Sequence, residues 1–333
     1  MHSTQQQIIF LRQVRARLGP DIHFAEELAE TLHISTDSAY RRMRGQTAMT
    51  FQEVALLSRK YNLSIDALLG QQLDTVSFQF TPLKASLPGF HEYLRNLQDQ
   101  LLSLQDIDNS ELYCASSDLP LFHYFAYPAL TAFKIYFWLR VYCKAPDVCE
   151  KHYERQLIPE ELVNRARQAY QAYLPLHSKE IIHPSALDTS LQEIHWCLDR
   201  QLIRRKGEAL ELVRQVNLLF KNLKAQIQKG AKPDPDPYQQ KGGKLALYVN
   251  QFSLGDSIIL MKQGDRIISH LNQHMLHIML TTHETFGANC LHYIRNLMDT
   301  EAILPGDAAI FTSLSEQTTA LEKRIYTQTF AFD

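Results

Sequence analysis

Three prolines in five residues, Pro233, Pro235 and Pro237, stand between Gly230 and the pair Gly242-Gly243 late in the chain. Proline fixes φ and lacks a backbone N–H, so no helix continues through this stretch. The residue pattern changes across it. Upstream, apolar residues recur at spacings of three and four. Downstream, 245–250, 257–262 and 266–270 read as strands, the last two joined by Gln263-Gly264-Asp265 as a hairpin loop. A further strand is expected at 276–282, and helices near 285–299 and 306–326. The second of these helices carries Ile310, Leu314, Leu321 and Ile325 on one face.

The same punctuation divides the rest of the chain. Residues 1–70 hold short helical patterns, 71–88 form a polar linker, and 89–230 form a helical region. Residues 231–244 are the Pro/Gly break, and 245–333 an α/β region of antiparallel strands plus helices. The expected fold is multidomain and mainly α. At 333 residues, 45% of them hydrophobic, the chain has ample material for a core. Its formal net charge is -2, which excludes a polycation that coats nucleic acid; basic residues must act locally if at all. The start, Met1 to Gln7, lacks the pattern of a secretion signal. The apolar stretch 121–139 carries His123, Pro128, Lys134 and many aromatics, and reads as a buried helix rather than a membrane span. Five cysteines without CxxC spacing fit reduced thiols in a cytoplasm.

Within the first 70 residues the signals follow in a definite order. A helix over 5–18 stops at Gly19-Pro20. A second covers 24–32, with Leu28, Ala29 and Leu32 inward, and His33-Ile34 make a turn. Ser35 is placed to cap a third helix over 36–44, which ends at Gly45. Shorter helices over 50–61 and 65–69 supply Phe51, Val54, Leu57, Leu63, Ile65 and Leu68 to a shared core.

On Glu27-Leu28-Ala29-Glu30, Leu32, Ile34-Ser35, Arg41, Arg44-Gly45 and Leu63 to Gly70, this segment resembles the lambda-repressor-like (Xre-like) helix-turn-helix family. The resemblance covers about a fifth of the chain and implies a five-helix domain that binds double-stranded DNA. Two positions depart from the family pattern. Ala25 replaces the glutamine that holds a phosphate at the start of the second helix. Met43 replaces a glutamate near the end of the third, and stands at i+4 from Ala39.

In that family the third helix enters the major groove. By position the resemblance gives Thr36, Asp37, Ser38 and Arg41 as base contacts. Arginine can fork to guanine, aspartate can accept from cytosine, and a threonine methyl can meet thymine. Arg42, Arg44, Gln46 and Thr47 fall where phosphate contacts usually sit. Between Ser35 and Thr47 stand three arginines and one aspartate, a local +2.

The remaining residues offer weaker signals. One such unit reads few base pairs, so a homodimer is expected. Two apolar stripes fit either a dimer seam or a domain interior: Phe90, Leu94, Leu97, Leu101, Leu104, and Ala209, Val213, Val216, Phe220, Leu223, Ile227. The aromatics of 122–138 fit a core better than a ligand pocket. His270, His274, His277, His283 and His292 fall within 23 residues, but no cysteine or carboxylate completes a metal spacing. No phosphate loop, GxGxxG or GxSxG occurs. The expectation is a cytoplasmic, bacterial-type transcriptional regulator that is no enzyme. It carries no metal or cofactor, and its C-terminal part senses a small molecule or a protein. An antitoxin-like interaction module, or an enzyme with an appended DNA-binding domain, are the alternatives.

Overall fold

The computed structural model describes residues 2–18, 22–61, 63, 65, 75–105, 109–232, 242–251, 254, 257–273, 276–300, 304–305 and 308–331. Its contacts group into two units, Met1–Phe78 and Gln79–Asp333.

In the first unit, α1 (His2–Arg15), α2 (Phe24–Leu32), α3 (Thr36–Met43) and α4 (Phe51–Tyr61) enclose a small core. Phe10, Leu11 and Val14 meet Phe24, Leu28, Ala29, Leu32, Ala39 and Leu57 there. α1 and α2 contribute residues three or four apart, the spacing of one helical face, while α3 and α4 each add one fully buried residue. The expected stop at Gly19-Pro20 lies outside the described residues, and of the expected fifth helix only Ile65 lies within them. Thr50 and Glu53 form a reciprocal capping box at the start of α4: Thr50 N donates to Glu53 Oε2 (2.8 Å) and Glu53 N to Thr50 Oγ1 (3.2 Å).

The second unit is built on a seven-stranded sheet in the order β1-β7-β6-β5-β2-β3-β4. The strands are β1 (Gln79–Thr81), β2 (Ser110–Ser116), β3 (His177–Ile182), β4 (Leu245–Val249), β5 (Ser257–Gln263), β6 (Arg266–Gln273) and β7 (His277–Thr281). β2, β3 and β4 run parallel, whereas the β2–β5, β5–β6, β6–β7 and β7–β1 pairs are antiparallel. The expected antiparallel C-terminal sheet is therefore corrected to a mixed one, and the middle region, expected to be helical, supplies β2 and β3. Parallel neighbours need long crossovers. These are made by α6 (Pro128–Phe137) and α7 (Glu160–Tyr173) between β2 and β3, and by α8 (Thr189–Asp199) and α9 (Lys206–Lys229) between β3 and β4.

Strand alternation splits the sheet's side chains between two layers. Leu112 and Cys114 of β2 face a large helical core that includes α5 (Leu87–Gln105) and α11 (Ala309–Thr327). Tyr113 and Ala115 face the opposite side, where Leu291 and Ile294 of α10 (Glu284–Thr300) pack. Both apolar stripes are spent inside this unit: every one of their residues belongs to the large core. They are not a dimer seam. The aromatic stretch is likewise core, with Phe122, Phe133, Tyr136 and Trp138 buried. Among the described residues no helix is long and apolar enough to cross a membrane.

A buried polar network closes the base of the Pro/Gly segment. Lys232 is buried, with Nζ 3.2 Å from Ser178 Oγ, 3.3 Å from the Tyr173 carbonyl and 3.7 Å from the centre of the Tyr173 ring. Glu180, also buried, accepts from Ser178 (2.8 Å) and Tyr173 and lies 2.7 Å from His123 Nε2. Backbone pairing of Ala231 with Lys244, and of Lys232 N with the Gly243 carbonyl (2.9 Å), pins the stem. Gly242 and Gly243 are required there, because an added Cβ would overlap the carbonyls of Lys232 and Leu176.

Candidate nucleic-acid interface

α3 is launched by the residue pattern read from the sequence. Ser35 is extended (φ -70, ψ 154) and its Oγ accepts from Ser38 N (3.3 Å), satisfying one free amide of the first turn. The turn from α2 is made by His33, which adopts the left-handed conformation (φ 52), while Ile34 N returns to the Ala29 carbonyl (3.0 Å). Gly45 takes φ 71 just past the other end of α3. Small Ala29 and Ala39, both buried, lie where α2 and α3 pack, and Met43 joins the same core.

With Ala39 turned inward, the opposite face of α3 is fixed by the helical period. Thr36, Asp37, Tyr40, Arg41 and Arg44 are all exposed. Arg41 forms an i,i+4 ion pair with Asp37 (3.0 Å), in which the side chains keep 61% and 73% of their exposure. Arg44 stacks its guanidinium over the Tyr40 ring, 5.9 Å from the centroid. This stripe presents two cations, one anion, a hydroxyl and an aromatic ring to solvent.

Three of the expected contact residues are placed differently. Ser38 is half-buried, and its hydroxyl accepts from Ser35 Oγ (2.9 Å) within the cap. Arg42 turns to α4, where Nη2 is 2.7 Å and Nε 3.1 Å from Glu53 Oε1. Its side chain is only 14% exposed. Burial alone raises the Glu53 carboxyl, but the bonds from Arg42 and Thr50 outweigh it and hold the group below its ordinary value. Thr47 is half-buried and Gln46 exposed, and both amides return to the Arg41 carbonyl (3.4 and 2.9 Å). Counting Glu53 against the local arginines leaves +1 rather than +2, so the basic footprint is narrower than the sequence implies.

Two residues hold the interface in roles that the sequence did not assign: Gln7, which was not singled out, and Glu27, which entered only through the family resemblance. Gln7 on α1 donates through Nε2 to the carbonyls of Arg42 (2.7 Å) and Thr47 (2.9 Å), and its Oε1 accepts from Met49 N (2.9 Å). One side-chain amide thus fixes the whole turn after α3. A polar residue three positions before buried Phe10 is the only sequence trace of this. The other is Glu27, whose Oε1 accepts from Lys60 Nζ (2.7 Å) and Tyr61 OH (2.5 Å), joining α2 to the end of α4. At the start of α2, buried Ala25 offers no side-chain donor, and exposed Glu26 follows it.

The family comparison agrees with this geometry. Residues 7–87 match the BetR domain. The N-terminal region is thus a helix-turn-helix DNA-binding domain of the Xre and lambda-repressor-like kind. No curated protein and no solved structure matches the chain. The BetR match begins at Gln7, the residue that staples α3. It runs past the first unit through β1 to the first residue of α5. The α3 stripe therefore lies within a DNA-binding domain, while most of the second unit lies beyond it.

The clustered histidines serve other ends. His270 is buried, which pushes its pKa down to about 4, and His283 Nδ1 accepts from Phe286 N (3.3 Å) at the start of α10. His277 accepts from Leu83 N (3.0 Å), His292 lies 3.2 Å from Asn296, and His274 is outside the described residues. Among the described residues no three His, Cys, Asp or Glu side chains are grouped to hold a metal ion.

Proposed function

We propose that this protein is a sequence-specific transcriptional regulator that binds DNA as a homodimer on paired half-sites. Its second unit takes up the signal and has no catalytic role. The observation that carries the reading is the exposed stripe Thr36, Asp37, Tyr40, Arg41 and Arg44 on the capped third helix of a BetR domain. Thr36 and Asp37 stand in the first turn of that helix and Arg41 in its last, on the same exposed side, and these read bases; Arg44, Gln46 and Thr47 lie beyond them and meet phosphates. Arg42 supports the helix from behind. Tyr40 adds an aromatic edge between the two sets. The dimer follows from the few base pairs that one such helix spans, and its surface lies outside the two apolar stripes.

Selection of bound sequences from a randomised duplex pool tests this directly. The expected outcome is one enriched inverted repeat with half-sites about one helical turn apart. Affinity for it should fall steeply with salt as phosphate contacts release counterions. A pool with no enriched sequence, or an affinity unmoved by salt, overturns the reading. A single, unrepeated half-site overturns the dimer alone.

A further inference from the structure

The second unit bears a basic face of its own, assembled from two segments distant in sequence. The parallel bridge between Tyr153 and Ile203, with Tyr153 N on the Leu202 carbonyl (2.8 Å), lays residues 150–155 beside 199–206. These segments hold six lysines and arginines against three carboxylates. Arg140, a turn beyond α6, fixes the first of them: Nη1 donates to the carbonyls of Val148 (3.2 Å), Cys149 and Lys151 (2.8 Å). Arg200 is exposed, with its guanidinium 4.1 Å from the centre of the Trp196 ring. Lys206 Nζ lies 5.1 Å from the centre of the Tyr326 ring, which is itself 58% exposed.

The carboxylates do not answer these cations. Glu154 stands 4.0 Å from Arg205, Asp199 pairs with Arg324 of α11, and Glu150 is exposed. Arg200, Arg204 and Lys151 are exposed and have no ion pair among the described residues. Their charge is felt by the groups beside them. The His152 imidazole is held below its ordinary value by burial, then by Arg204 and Arg140, with Glu154 opposing. The buried Cys197 thiol is raised by burial and by Glu193, while Arg140 and Arg200 pull it the other way. Three guanidinium groups thus gather around His152 and Cys197. Each always keeps its charge and presents forked donors, the arrangement that phosphate oxygens satisfy.

We propose that this face is a second docking surface for duplex DNA, which grips the phosphate backbone without reading sequence. Its cations stand on separate supports: Arg204 beside His152, Arg200 on Trp196, Lys206 on Tyr326. That spread fits a row of phosphates better than one small anion. The duplex is favoured over other polyanions because the same chain carries a DNA-binding domain, which brings DNA to this face at high effective concentration. The proposal rests on the DNA-binding reading for that choice alone.

Fluorescence anisotropy of the full chain on a random-sequence duplex of about 30 base pairs, taken across salt concentrations, reads this surface. Arg200→Gln/Arg204→Gln removes two exposed cations. It should weaken binding by about ten-fold at low salt and lower the salt slope by about two. Lys221→Gln/Arg295→Gln removes the same charge from exposed positions of α9 and α10, and should stay within about two-fold of the native chain. Thermal melts confirm that the variants fold. Arg41→Ala/Arg44→Ala tells the two surfaces apart: if α3 does not bind DNA, that pair changes nothing while the Arg200/Arg204 loss persists. Native affinity and slope in Arg200→Gln/Arg204→Gln overturn the proposal, and so does an equal loss in Lys221→Gln/Arg295→Gln. Tighter binding to phosphatidylserine vesicles than to the duplex, lost in the same Arg200/Arg204 variant, overturns it in favour of a membrane surface.

Discussion

Arg41 and Arg42 are neighbours in sequence, yet α3 turns their guanidinium groups to opposite sides. Arg41 stays 61% exposed on Asp37, in an ion pair that contributes little to stability because water screens it. Arg42 is 14% exposed against an equally covered Glu53. Alanine substitution should separate the two roles. Arg41→Ala is expected to cost about 1–3 kcal/mol of affinity for the selected sequence, with relaxed preference at one base pair and an unchanged melting temperature. Arg42→Ala should do the reverse in order of cause. It strands a half-buried carboxylate, destabilises the first unit by about 2 kcal/mol in urea titration, and lowers DNA affinity only as far as α3 loosens. Equal melting temperatures for the two variants would contradict this division. Sequence alone could not make it, because Glu53, the partner that claims Arg42, lies eleven residues away on another helix.

At the scale of elements, the short helices of the first unit were legible because their stop and start chemistry is local. Ser35 and Gly45 each act within a few residues of chain, and the Thr50/Glu53 pair, which the sequence reading left unnamed, is equally local. The hairpin at Gly264, with φ 60 and Gln263 paired to Arg266, was legible for the same reason. β2 and β3 were not. Each is a six- or seven-residue strand set between long helices. β3 reads His-Ser-Lys-Glu-Ile-Ile, with Ser178 and Glu180 turned into the core, so its buried face does not look apolar. The capping box also carries a pH dependence. Glu53 has a folded pKa below its ordinary 4.5, so its contribution is complete above that value and is lost as pH falls through the lower, folded one. The stability gap between the native chain and Glu53→Gln should therefore be widest near neutrality and narrow below about pH 4.5. Urea midpoints measured across that range check it, and a gap that widens in acid would refute the assignment.

For the whole molecule, Glu180 is the point where the two crossovers and the stem of the Pro/Gly segment converge. It sits on β3, receives Tyr173 from the end of α7, lies against His123, and is one of the charges that Lys232 faces in the interior. Burial would raise its pKa, but His123, Lys232 and Tyr173 outweigh that and bring it down to about 2. For Lys232 burial prevails, and its amine is pushed down to about 7 despite Glu180. None of this was visible in sequence, since the participants are spread from residue 123 to residue 232 and only the sheet brings them together. Glu180→Gln keeps the shape and removes the anion that Lys232 faces and that bonds Ser178, Tyr173 and His123 in the interior. The expected cost is on the order of 3 kcal/mol at neutral pH, read as a drop in the urea midpoint of the second unit. Because the folded pKa is depressed, Glu180 stabilises fully above its ordinary value, and that contribution drains away as pH falls towards about 2. The variant and the native chain should thus converge in strong acid. If Glu180→Gln is instead as stable as the native chain at neutral pH, the network is incidental and apolar packing alone closes the segment's base.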